Sequence, residues 1–172
     1  MTHHVDSNED ETPGTQGAKA KRANGFQLSL KGRALRLLSQ REHSRFELER
    51  KLKPFEETPG ELAEALDFLQ AKDFINEQRV VESVVNSRSR KLGASRVRQE
   101  LQAKGLPVEA IAEAVQEMRS TELERAREVW RKKFGEPPVD QAGRVKQVRF
   151  LVSRGFAPEV VKRVVAGADD LE

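Results

Sequence analysis

Few residues of this chain are placed to do chemistry. In Gln40-Arg41-Glu42-His43-Ser44-Arg45 a histidine stands beside a serine, the residue types of a base and its nucleophile. Adjacent residues on one chain rarely face each other. Ser44 also opens Ser44-Arg45-Phe46-Glu47, a capping box whose hydroxyl and carboxylate each satisfy a free backbone N–H. Capping explains Ser44 better than catalysis does. There is no G-x-x-x-x-G-K-[ST] phosphate loop, no G-x-G-x-x-G and no H-E-x-x-H. His3 and His4 lie in a polar leader, and nothing else has metal-ligand spacing. The absence of cysteine removes disulfides, thiolate metal sites and thiol nucleophiles, and it fits a reducing cytoplasm. The expectation is a cytoplasmic protein that is no enzyme and carries no cofactor and no metal.

Binding is the better-supported chemistry. Lys and Arg number 31 against 28 acidic residues, a net charge of only +3, yet the cations are unevenly spread. Arg88, Arg90, Lys91, Arg96, Arg98 and Lys104 face Glu100 alone between positions 87 and 104. Arg125, Arg127, Arg131, Lys132 and Lys133 gather around Trp130. Arg144, Lys146, Arg149, Arg154, Lys162 and Arg163 form a third group. Such patches attract phosphate backbones or acidic protein grooves without reading base sequence. The candidate contact residues are Arg88, Arg90, Lys91, Arg96, Arg98, Lys104, Arg131, Lys132, Lys133, Arg144, Lys146, Arg149, Lys162 and Arg163. Trp130, spaced with Ala126 and Val129, reads as core rather than as a base-stacking platform.

The elements that must position these residues are helices. Apolar residues recur at helical spacing, as in Leu62, Leu66 and Leu69, in Ile111, Val115 and Met118, and in Val148, Leu151 and Val152. No alternating run marks a strand. Asn76 and Asp140 read as N-caps, Thr58-Pro59-Gly60-Glu61 and Thr121-x-x-Glu124 as further capping boxes, and Gly105 and Gly155 as stops. Nine helices follow, near 31–41, 44–53, 58–71, 76–91, 93–104, 107–119, 121–134, 140–154 and 157–167. Residues 1–25 carry almost no large apolar side chains and read as a disordered tail. No apolar run approaches the roughly 20 residues a bilayer span requires, and no secretory signal pattern opens the chain.

The nine helices group in threes. A shift of 49 places Leu48 on Val97, Leu52 on Leu101, Leu62 on Ile111 and Leu66 on Val115. A further shift of 50 places Leu101 on Leu151, Gly105 on Gly155 and Ile111 on Val161. The repeated glycine is the most specific part of the match, because apolar positions coincide by accident between helices. The chain is therefore expected to be all-α, with three tandem three-helix repeats in an elongated, curved arrangement. The boundaries fall at 1–28 for the tail, then 29–75, 76–120 and 121–172.

With the repeats aligned, the chain resembles the RecX family of bacterial recombination regulators. The resemblance rests on Ala34-Leu35-x-Leu37-Leu38-Ser39-x-Arg41-Glu42-His43-Ser44-Arg45-x-Glu47-Leu48-x-x-Lys51-Leu52. It continues through Phe74-Ile75-Asn76-Glu77-x-Arg79-Val80 and the Lys91-Leu92-Gly93 to Lys104-Gly105 segment. The first unit departs by carrying Lys53-Pro54-Phe55-Glu56-Glu57 where a glycine turn is expected. The resemblance implies a monomer that lodges in the helical groove of the RecA filament on single-stranded DNA and blocks its growth, ATP hydrolysis and strand exchange. It supplies no catalytic motif. A helical DNA-binding protein acting directly on nucleic acid through its basic faces is the competing expectation.

Overall fold

The computed structural model describes residues 27–167, which comprise nine α-helices, one short 3-10 turn and no strand. The helices are α1 (Leu30–Leu38), α2 (Arg45–Leu52), α3 (Glu61–Ala71), α4 (Glu77–Arg88), α5 (Ala94–Ala103), α6 (Val108–Ser120), α7 (Glu122–Lys133), α8 (Gln141–Ser153) and α9 (Pro158–Val165). Three consecutive helices share each of three cores. Leu48, Leu52, Leu62, Leu66 and Leu69 centre the first, Val80, Val97, Leu101, Ile111 and Val115 the second, and Ala126, Leu151, Phe156, Val161 and Val165 the third. The predicted tail and the pair His3 and His4 lie outside the described residues.

Local signals set most helix ends. Ser44 forms the capping box: its hydroxyl accepts from the Glu47 N–H at 3.1 Å, and the Glu47 carboxylate accepts from the Ser44 N–H at 3.0 Å. Asn76 and Asp140 cap α4 and α8, accepting from the Arg79 and Gly143 N–H groups. Gly105 and Gly155 end α5 and α8 in left-handed turns, with φ of 68° and 85°.

Three details differ from the expected pattern. Thr58 does not cap α3, which begins three residues later behind Gly60 at φ 91°. Glu56 takes over, its carboxylate accepting from the Gly60 and Leu62 N–H groups. Thr121 does not cap α7 either, because α6 runs almost directly into it and the Thr121 hydroxyl turns back to the Met118 carbonyl. In α8 the apolar stripe is interrupted. Val152 is 48% exposed, whereas Gln147 is buried, where its carbonyl oxygen accepts from the Trp130 indole N–H at 2.8 Å.

The units are joined by the middle helix of each. The N-terminus of α2 sits on the C-terminal turn of α5, where the Ser44 hydroxyl donates to the Lys104 carbonyl at 2.5 Å. One unit on, the N-terminus of α5 sits on the C-terminal turn of α8. There the Gly93 N–H donates to the Arg154 carbonyl at 2.8 Å and the Ser95 N–H to the Gly155 carbonyl at 3.3 Å. Ser44 and Gly93, like Lys104 and Arg154, are equivalent under the 49- and 50-residue shifts, so one junction is built twice. Both place the positive end of one helix against the negative end of another. End-to-end middle helices make a row in which neighbours touch in order.

The junction explains the repeated glycine. A side chain at Gly105 would meet Phe46, and a Cβ at Gly93 would stand 2.2 Å from the Gly155 carbonyl oxygen. Gly93→Ala should cost about 1–3 kcal/mol, as overpacking does, and should accelerate hydrogen exchange at the Gly93 and Ser95 amides. Gly60→Ala is the control. It has open space, nothing lying within 4 Å of the added carbon, and should cost about 1–2 kcal/mol from left-handed strain alone while leaving those amides protected. Denaturant melts with amide exchange check both.

Candidate partner-binding surface

Many cations that look free in the sequence are used inside the row. The Lys104 ammonium lies 3.0 Å from Glu47 and is 16% exposed, so it faces the first junction rather than solvent. Arg41 reaches the same carboxylate at 2.9 Å, and Arg79 pairs with Glu42 at 3.0 Å across the same junction. At the second junction Glu122 is buried and accepts from the Ala94 N–H at 2.8 Å, supplying the cap that Gly93 lacks. Arg125 spans the Ser89, Leu92 and Met118 carbonyls, each at 2.8 Å. Desolvation lowers its pKa, and it holds three chain segments together instead of joining a basic face. Arg154 stacks on Phe150 at 4.4 Å.

The remaining candidates divide in two. Arg88 pairs with Glu100 at 2.9 Å, Arg131 with Glu128 at 2.9 Å and Lys132 with Glu128 at 3.9 Å, all at exposed or partly exposed sites where an ion pair is weak. Arg96 lays its stem over Gly155 and donates to Gln99. Arg90, Lys91, Arg98, Lys133, Arg144, Lys146, Arg149, Lys162 and Arg163 are exposed. Of these, Lys146 and Arg149 are brought to one place. They line a groove of about 480 Å³ along α8 with Ala142, Val145, Phe150 and Ser153. Val145 is 44% exposed beside them, so the surface is basic with apolar patches.

The residues that could suggest catalysis are engaged elsewhere. His43 is 1% exposed; its Nδ1–H donates to the Arg41 carbonyl at 3.0 Å, and Nε2 accepts from Lys51 at 3.3 Å. Ser44 spends its hydroxyl on Lys104 and Glu47, so the two side chains make no nucleophile–base couple. Among the described residues no cluster of His, Cys, Asp or Glu could hold a metal ion, and no helix is long and apolar enough to cross a membrane.

Family models match all three units in order. The first three-helix domain of RecX matches residues 31–69, the second 76–115 and the third 120–165. The chain belongs to the RecX family. It is 52% identical over 147 residues to the "Regulatory protein RecX" of Leptothrix cholodnii, covering 86% of this chain and 94% of that one. It is 46% identical over 144 residues to that of Ralstonia pickettii, covering 84% and 91%. The fold is similar to a crystal structure of RecX from Lactobacillus salivarius, with a TM-score of 0.66 at 20% identity over 83% of this chain and 96% of that one.

RecX membership gives the signature around His43 and Ser44 a structural meaning, for it builds the first junction. Burial pushes the His43 pKa below 6.5. Burial works to raise that of Glu47, but hydrogen bonds from Arg41, the Ser44 N–H and Lys104 outweigh it and bring it from 4.5 to about 2. An unfolded chain therefore takes up protons at 6.5 and 4.5 that the folded junction resists, so stability falls as the pH drops through each value. Urea midpoints taken above 6.5, between 6.5 and 4.5, and below 4.5 should fall in two steps. Glu47→Gln should remove the lower step and keep the upper one; a lower step of full size in this variant would assign it to other carboxylates.

Proposed function

We propose that the chain binds the RecA recombinase filament on single-stranded DNA and inhibits its extension, ATP hydrolysis and strand exchange. It acts as a cytoplasmic monomer by occupancy, with no chemical step and no cofactor. The observation that carries this reading is the run of three RecX domains between residues 31 and 165, at 52% identity to a protein named as a regulator. The units at 29–75, 76–120 and 121–172 serve as modules of one binding face. Its strongest part is the third unit, where Arg144, Lys146, Arg149, Lys162 and Arg163 are exposed. An elongated row suits a helical groove better than a compact domain does.

A second reading, direct binding to single-stranded DNA, is favoured by the three exposed cations of α8. Three phosphate contacts would give a salt slope of about −2 on single strands. The DNA-stimulated ATPase of RecA, titrated with this protein, separates the two. The filament reading expects a saturable fall in turnover. Turnover left untouched, together with salt-steep binding to bare DNA, would replace it with the second. The double variant Lys146→Glu/Arg149→Glu should raise the half-inhibitory concentration on the order of tenfold, from about 0.5–1 kcal/mol per exposed charge, without altering the thermal melt. Arg96→Glu/Arg98→Glu probes the second unit in the same assay and is expected to weaken inhibition.

A further inference from the structure

The first unit carries none of the candidate contact residues, yet it holds a cationic groove of its own. The groove lies where α1 meets the end of α2 and has a volume of about 310 Å³. Leu28, Leu37, Leu52 and Phe55 give it an apolar lining. Arg33, Arg36 and Lys51 supply its charge, and no carboxylate lines it. None of these three cations forms an ion pair among the described residues. Two of them are held in place. The Arg33 guanidinium stacks on Phe55 at 4.0 Å and its Nε donates to the Leu28 carbonyl at 3.1 Å, while the Lys51 ammonium donates to His43 Nε2 at 3.3 Å. Cations already ordered lower the entropic cost of receiving an anion. Leu28 and Phe55 are 37% and 47% exposed, so apolar surface is open beside the charge.

The chain's own first junction shows what the end of a middle helix receives. Under the 49-residue shift Phe55 is equivalent to Lys104. On α5 that end takes the N-terminal turn of α2, which brings the Glu47 carboxylate to 3.0 Å from the Lys104 ammonium. At α2 the backbone departs into the 3-10 turn Lys53–Phe55, so the helix seat itself is not reproduced. Cation beside apolar surface is what remains, and its complement is a segment with carboxylates around a large apolar side chain. A nucleic acid fits less well. Arg33 takes one face of Phe55 from any stacking base. Glu57 and Glu61 line the adjoining cavity, where they would repel a phosphate backbone running on from the groove.

We propose that this groove docks a short acidic peptide of a partner protein, with one large apolar side chain set between carboxylates. The apolar side chain lies against Leu28, Leu37 and Phe55, and the carboxylates meet Arg33, Arg36 and Lys51.

The probe is the synthetic peptide acetyl-Glu-Asp-Phe-Asp-Glu-amide, titrated into the isotope-labelled full chain. Neither RecA nor DNA is present, so the outcome is independent of the filament reading. At about 0.01 M salt, where screening is weak, the amide signals of Arg36, Leu37, Lys51 and Phe55 should shift and saturate. They should do so at lower peptide concentration than those of Lys146 and Arg149, the two cations that line the α8 groove. Replacing the peptide's Phe by Ala should weaken binding on the order of tenfold, as should Arg36→Glu at an exposed site of the protein. Lys72→Glu makes the same charge change at an exposed site outside the groove and should weaken it less than about twofold. The proposal is overturned if the groove amides do not shift or if those of α8 saturate first. It is also overturned if the Ala peptide or Arg36→Glu binds unchanged, or if Lys72→Glu costs as much as Arg36→Glu. A thymidine octamer that shifts the same amides more strongly at equal concentration would assign the groove to nucleic acid and likewise overturn it.

Discussion

Backbone meets backbone where the second unit joins the third, and the rest of the molecule depends on that contact. The N-terminal turn of α5 is seated on the last turn of α8 with Gly93 against Gly155, and no side chain fits between them. The contact satisfies N–H groups at one helix end with carbonyls at another, groups that would otherwise need water or caps. It also apposes opposite helix-dipole ends. Together with the Ser44 hydroxyl seated on the Lys104 carbonyl at the first junction, it turns three small cores, none of which buries much alone, into one row.

The same constraint sorts the charged residues. Glu47, Glu122, Lys104 and Arg125 lie within or beside the junctions, where burial makes each depend on its partner. Those four residues are consumed by assembly. The cations left outside, above all Lys146 and Arg149 on α8, have no such duty and remain available to a partner. The junctions consume carboxylates and cations alike, so the basic surface of this near-neutral protein comes from the uneven placement of the residues left outside. The two ends of the row are modified as well: the first has Pro54 and Phe55 in place of a glycine turn. In the third, α8 begins one turn early behind Asp140, across the position equivalent to Gly93.

Much of the architecture was legible because helix caps and apolar spacing are local. Ser44, Asn76 and Asp140 announced their helices, and the Gly105–Gly155 match announced the repeat. What failed was whatever depended on a partner distant in sequence. Glu56 could not be seen to replace Thr58 as a cap, nor Gln147 to enter a core to meet Trp130. Arg125 and Lys104 were indistinguishable from solvated cations, since nothing in their neighbours reveals which carbonyl or carboxylate the fold brings to them. The candidate face was visible only as charge density, and the structure shows which of those charges are already paired within the fold.

The central claim is that helix-end seating at both junctions makes the three units one rigid row, able to present the basic residues at fixed spacing. Spin labels on Glu64→Cys in α3 and Glu159→Cys in α9, both exposed sites in a chain without cysteine, report the separation of the end units directly. A single narrow distance distribution is predicted. A broad or multiply peaked one would show units moving independently and would contradict the account.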